Sequence, residues 1–100
     1  MSAVHETAVE LTTVVQHLEK LAWELRDASR RRIPAEVSAA CDALNCAALL
    51  LRTHQDVADG HTARMDLLYE AVALARSTVE ATKMACREHA GARSRAGNRG

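Results

Sequence analysis

The stretch PAEVSAACDALNCAALLLRTHQDVAD, residues 34–59, decides the fold class. Val37, Cys41, Leu44, Ala48, Leu51, Gln55 and Ala58 follow one another at steps of three and four, which is a heptad seam. The positions beside that seam, Ala40, Ala43, Cys46, Ala47, Leu50 and Val57, are apolar as well. Only Ser38, Asp42, Asn45, Arg52 and Asp56 form a polar stripe, and Leu49 interrupts it. A helix apolar nearly all round is buried on several sides, so this segment needs helical neighbours.

Two breaks delimit it. Before it stands RRRIP, residues 30–34. Proline disfavours helix in the residue ahead of it and suits the start of the next one. After it comes DGHT, residues 59–62, where Gly60 suits a left-handed cap and Thr62 can cap the following helix. Upstream, Val4, Thr7, Leu11, Val14, Leu18, Leu21, Leu25 and Ala28 make a second heptad seam, widened by Ala8, Val15 and Ala22. Downstream, Met65, Leu68, Val72, Ala75, Val79, Thr82 and Cys86 form one seam. Leu67, Ala71, Leu74, Thr78, Ala81 and Ala85 form another beside it. The spacing predicts helices over about 3–31, 34–59 and 62–89, forming one domain over 1–90. GARSRAGNRG, residues 91–100, is small, basic and non-periodic and reads as a disordered tail.

Composition agrees. Of 100 residues, 48% are apolar, 26% charged and 2% aromatic, and the formal net charge is zero. That balance excludes a chain disordered throughout, and one Pro with four Gly excludes a collagen-like one. Helix formers dominate, while the β-branched and aromatic enrichment of strands is missing. Short connections make successive helices antiparallel neighbours. The expectation is an all-α antiparallel three-helix bundle with long helices. Because the last two helices carry more apolar face than one such core consumes, it is expected to assemble as a helical homodimer. The expected dimer seam is Leu67, Ala71, Leu74 and Ala81.

Three cysteines, Cys41, Cys46 and Cys86, do not make a disulfide framework. The opening MSAVHETAVELTTVV does not read as a signal peptide, and the apolar run 43–51 is far short of the ~20 residues that span a bilayer. A reducing cytoplasmic setting is the expectation, and the use of Arg and Ala points loosely to a bacterial, GC-rich genome.

Trp23 falls opposite the Leu11–Leu18–Leu25 seam, among Glu19, Lys20, Arg26 and Asp27. The bland reading is a surface Trp. The functional one is a contact anchor for a protein partner, with Val9, Arg26 and Arg30 beside it, since Trp and Arg are enriched among interface hot spots. His17 stands three residues before Lys20, a spacing similar to that of histidine phosphotransfer domains. Those domains want a small residue beside the Lys, whereas Leu21 follows here, so an ordinary edge histidine is preferred.

The bundle end near the start of the chain gathers His5, His54, Asp59 and His61. These are metal-ligand types without HxxxH or CxxC spacing, so solvated polar residues are preferred and no metal or other cofactor is expected. Arg30, Arg31 and Arg32, with Arg93, Arg95 and Arg99, offer a phosphate-gripping end, but no basic stripe is interleaved with aromatics. No GxSxG, P-loop, HExxH or dinucleotide fingerprint is present. The function expected is therefore that of a small non-enzymatic helical regulator, of anti-activator or inhibitor type, which sequesters a partner protein. The alternatives are a nucleic-acid- or phosphate-binding accessory protein using the Arg-rich end, and a phosphotransfer or metal-binding module.

Overall fold

The computed structural model describes residues 2–55 and 60–97, with side chains placed for 10–55 and 60–91. All regular structure among them is helical: α1 (Ser2–Ala28), α2 (Ala35–Arg52) and α3 (Gly60–Gly97). Each junction has a local cause. Beyond α1, Ser29 N–H donates to Arg26 C=O and Arg30 N–H to Asp27 C=O, both at 3.3 Å, so the helix tightens into turns before the proline. Pro34 is extended (φ −60°, ψ 151°), and its carbonyl accepts from the N–H groups of Val37 and Ser38, both at 3.0 Å. It stands as the cap ahead of the first turn and not inside it.

α2 stops seven residues before the expected boundary. The Thr53 hydroxyl donates to the Leu50 carbonyl at 2.6 Å, and the N–H groups of Thr53, His54 and Gln55 bond carbonyls three residues back. A side chain that competes for the last carbonyls favours a turn over a further helical step. Gly60 has φ 78°, the left-handed conformation that glycine adopts without steric cost.

α3 is longer than expected. It runs through Gly91 to Gly97, so the break placed at 91 does not end it. Ala and Arg are strong helix formers, and an isolated glycine costs about 1 kcal/mol, which does not by itself stop a helix. Residues 98–100 of the expected tail lie outside the described residues.

The arrangement is antiparallel, with α2 in the middle. The Cys41 thiol donates to the Ala22 carbonyl of α1 at 3.5 Å, and the Cys46 thiol to the Ala71 carbonyl of α3 at 3.3 Å. α1 and α3 both pack along α2, and among the described residues they make no Cα approach within 8 Å to each other. The result is an elongated three-helix bundle in which each outer helix packs on α2. Its extents are 66 × 25 × 24 Å and its radius of gyration is 17.9 Å. A compact chain of this length has a radius nearer 13 Å.

The core is thin and made of small residues: Val15 and Ala22 of α1, Ala35, Ala39, Cys41 and Ala48 of α2, and Ala71 and Ala85 of α3. This corrects the facing of α1. Its leucine seam is split: Leu11 and Leu18 are half-buried while Val14, Leu21 and Leu25 are exposed, and the innermost line, Val15 and Ala22, is the one that was expected only to widen the seam. Small residues let backbones approach closely enough for the two thiols to reach carbonyls across the interfaces, while leucines there would hold the helices apart.

Candidate functional site

The contacts of α2 divide the bundle into two flanks of different chemistry. On one flank Asp42, 8% exposed, lies between both neighbours. Ser77 of α3 donates its hydroxyl to Asp42 Oδ2 at 2.5 Å, and Arg26 Nη2 of α1 lies 3.9 Å from Oδ1. Farther along the same flank, Arg52 Nη2 donates to Glu19 Oε2 at 2.5 Å and Gln55 Nε2 to Thr12 Oγ1 at 2.8 Å. Asp42 and Arg52 of the polar stripe are therefore turned toward α1 and α3, where charge-assisted bonds hold them. No side-chain polar atom buried among the described residues lacks a partner.

Trp23 belongs to this flank. It is one turn from both Glu19 and Arg26, which reach α2 there, and residues three or four apart share a helix face. It is 67% exposed. Nearby, a cleft opens between the α1–α2 connection and α3. Ile33, Pro34, Ala81 and Met84 supply its apolar surface and Ser38 and Ser77 its hydroxyls. Arg32, Arg87, Glu80 and Glu88 are also in its lining. Ile33 and Met84 are exposed, so the cleft presents apolar surface between charges of both signs. Sequence reading missed this cleft, because its walls are far apart in the chain and become neighbours only when α3 packs beside Ala35.

The opposite flank is apolar. Val14, Leu21 and Leu25 of α1 are exposed, as are Leu68, Val72 and Val79 of α3, with Leu50 of α2 between them. The residues expected to form the dimer seam are elsewhere. Ala71 is 3% exposed and accepts the Cys46 thiol, and Leu67, Leu74 and Ala81 are half-buried on the same α3 line, which faces α2 within the chain. The adjacent α3 seam, which includes Leu68, Val72 and Val79, is the one left uncovered.

The remaining candidates are scattered. Arg30, in the turn beyond α1, lies 3.4 Å from Asp27 near the end of that helix. The side chain of Val9 lies outside the described residues, as do Asp59 and the side chain of His5; His54 and His61 are exposed. No group of three or more His, Cys, Asp or Glu side chains suited to a metal ion occurs among the described residues. His17 and Lys20 are exposed along one side of α1, with Leu21 and Glu24 in the same shallow depression. Arg30, Arg31 and Arg32 line another depression at the α1 end. No helix of the described residues is long and apolar enough to cross a membrane. Comparison with protein-family models, with curated proteins and with solved structures gives no match.

Proposed function

We propose that this chain is a small non-enzymatic regulator, working in the bacterial cytoplasm, that binds and sequesters another protein. The observation that carries the reading is the gap between α1 and α3 on the flank of Asp42. α2 floors it, the Cα atoms of the two outer helices stay more than 8 Å apart among the described residues, and Trp23 stands 67% exposed on one wall. Such a groove suits an amphipathic helix of a partner, whose apolar side would meet Trp23, Ile33 and Met84 and whose charges would meet Arg26, Arg32 and Glu80. The partner helix would complete the bundle as a fourth helix. Occupying that helix would be the mechanism of inhibition, because sequestration requires binding alone. The three thiols are all free, as a reducing compartment would keep them. A homodimer is part of the same reading.

Affinity capture from host extract with the wild-type chain and with Trp23→Ala tests it. A protein retained by the first and lost with the second, at unchanged helical content, supports the reading. Equal capture by both chains removes it.

The Arg-rich end gives a second reading. α3 carries Arg93 and Arg95 onward past the start of α2, toward the end where Arg30, Arg31 and Arg32 stand. Binding of a nucleic acid there would fall steeply with salt, and protein capture in the groove would not.

A further inference from the structure

Ala40, Ala43, Ala47 and Leu50 run along α2 at steps of three and four, apart from the side chains whose hydrogen bonds and ion pairs reach α1 and α3. α2 meets α1 through Cys41 and Arg52 and meets α3 through Cys46, with Asp42 reaching toward both. The Ala40–Leu50 line is on the side of α2 away from Asp42. Ala40 and Ala43 are exposed, and Leu50 is 46% exposed.

On α1, Arg26 marks the flank of Asp42, and Val14, Leu21 and Leu25 lie to the other side of the Val15–Ala22 line. On α3, Ser77 marks the same flank, and Leu68, Val72 and Val79 lie beyond the Leu67–Ala71 line. The three stripes therefore share one face. The bonds from Cys41 to Ala22 and from Cys46 to Ala71 place their middles at about the same level.

Two observations point to a second copy on this face. The first is its apolar surface. Val14, Leu21, Leu25, Leu50, Leu68, Val72 and Val79 are each 36–52% exposed, and a contiguous aliphatic surface of this kind marks an interaction site. The second is symmetry of sequence. Glu36 and His54, Ala40 and Leu50, and Ala43 and Ala47 are each equidistant from position 45. Antiparallel pairing of two α2 helices sets Ala40 against Leu50 and Ala43 against Ala47. It brings exposed Glu36, which also lies 3.7 Å from His89 of its own chain, toward the turn after α2 of the second copy, which carries exposed His54. Parallel pairing would instead set Glu36 on Glu36. Zero net charge leaves association unopposed by long-range repulsion.

We propose that a second copy of this chain covers the apolar face, with α2 against α2 antiparallel about a two-fold axis passing between Ala43 and Ala47. The alanines let the two central helices approach closely, and the Leu and Val side chains of α1 and α3 fill the wider space at the flanks. The inference rests on the homodimer of the reading above and is independent of the partner groove.

The test uses full-length chains carrying Cys86→Ser, so that the exposed native thiol is absent. Light scattering at micromolar concentration should give twice the 10.9 kDa chain mass. Leu50→Glu should weaken the dimer at least about tenfold with the helical circular dichroism retained. Chains with Ala43→Cys and chains with Ala47→Cys, mixed and exposed to oxidised glutathione, should form a disulfide-linked dimer whose linked peptides join positions 43 and 47. Neither chain alone should do so, because its two copies of that position would be beyond the ~7 Å Cα separation that a disulfide spans.

A monomeric wild-type chain overturns the proposal and the homodimer together. A dimer that survives Leu50→Glu and gives no 43–47 link keeps the homodimer and overturns this face. A link from 43 to 43 overturns the antiparallel register. Retention of the dimer in Trp23→Ala, whatever that chain captures, separates this interface from the partner groove.

Discussion

Ser77 donates its hydroxyl to Asp42 Oδ2 at 2.5 Å, joining α3 to the central helix at the place where Arg26 approaches from α1. One carboxylate thus orients two helices whose Cα atoms, among the described residues, stay more than 8 Å apart. Asp42→Ala removes the acceptor, and a hydrogen bond to a charged group contributes about 1.5–3 kcal/mol. Urea unfolding followed by circular dichroism should show a loss in that range. Asp42→Asn keeps an acceptor for Ser77 and should recover part of it. Arg26 is largely exposed at 3.9 Å, so Arg26→Ala should cost no more than ~1 kcal/mol. A loss for Arg26→Ala equal to that for Asp42→Ala would mean that the ion pair, and not the Ser77 bond, secures α2.

Trp23 separates folding from binding. At 67% exposure, Trp23→Ala should change stability by less than about 1 kcal/mol. The same change should weaken partner binding by ~2 kcal/mol or more. Emission from the free chain should be red and readily quenched by acrylamide, becoming shielded when the partner is added. Blue, unquenched emission in the chain at dilutions where it is monomeric would contradict the exposed placement.

Close approach of the helices depends on small residues. Ala48 is 2% exposed and Ala71 3%. Ala48→Leu or Ala71→Leu should overpack these contacts and cost about 1–3 kcal/mol. Leu21→Ala, at a site 48% exposed, should cost much less in a monomer and should act mainly on self-association. Thermal melts at low and high protein concentration distinguish the two effects.

Gly60 has φ 78°, and a Cβ added there meets nothing within 4 Å. Gly60→Ala should therefore destabilise through backbone strain alone, by about 1–2 kcal/mol. Gly60→Asn should cost less, because Asn tolerates the left-handed region better. Equal melting temperatures for all three chains would show that the start of α3 rearranges to avoid that conformation.

The all-helical class and the two breaks near residues 30–34 and 60 were legible in the sequence, since hydrophobic spacing, Pro34 and Gly60 act locally. The helix ends were less so. Thr53 ends α2 through a hydrogen bond that composition does not announce, and Gly91 looks like a stop yet is carried within α3. The polar stripe through Ser38, Asp42 and Asn45 was visible too, but its direction was not. Each helix offers adjacent apolar seams, and neighbouring residues differ by about 100° around the axis, so periodicity alone leaves open which seam turns inward. Tertiary packing made that choice. Close approach at Ala22, Ala48 and Ala71, together with the bonds made by Asp42, turned the small residues into the core. It left Leu21, Val72 and Trp23 exposed on two opposite flanks. A contact between residues distant in the chain depends on the size and polarity of both sides at once, which no single helical segment contains.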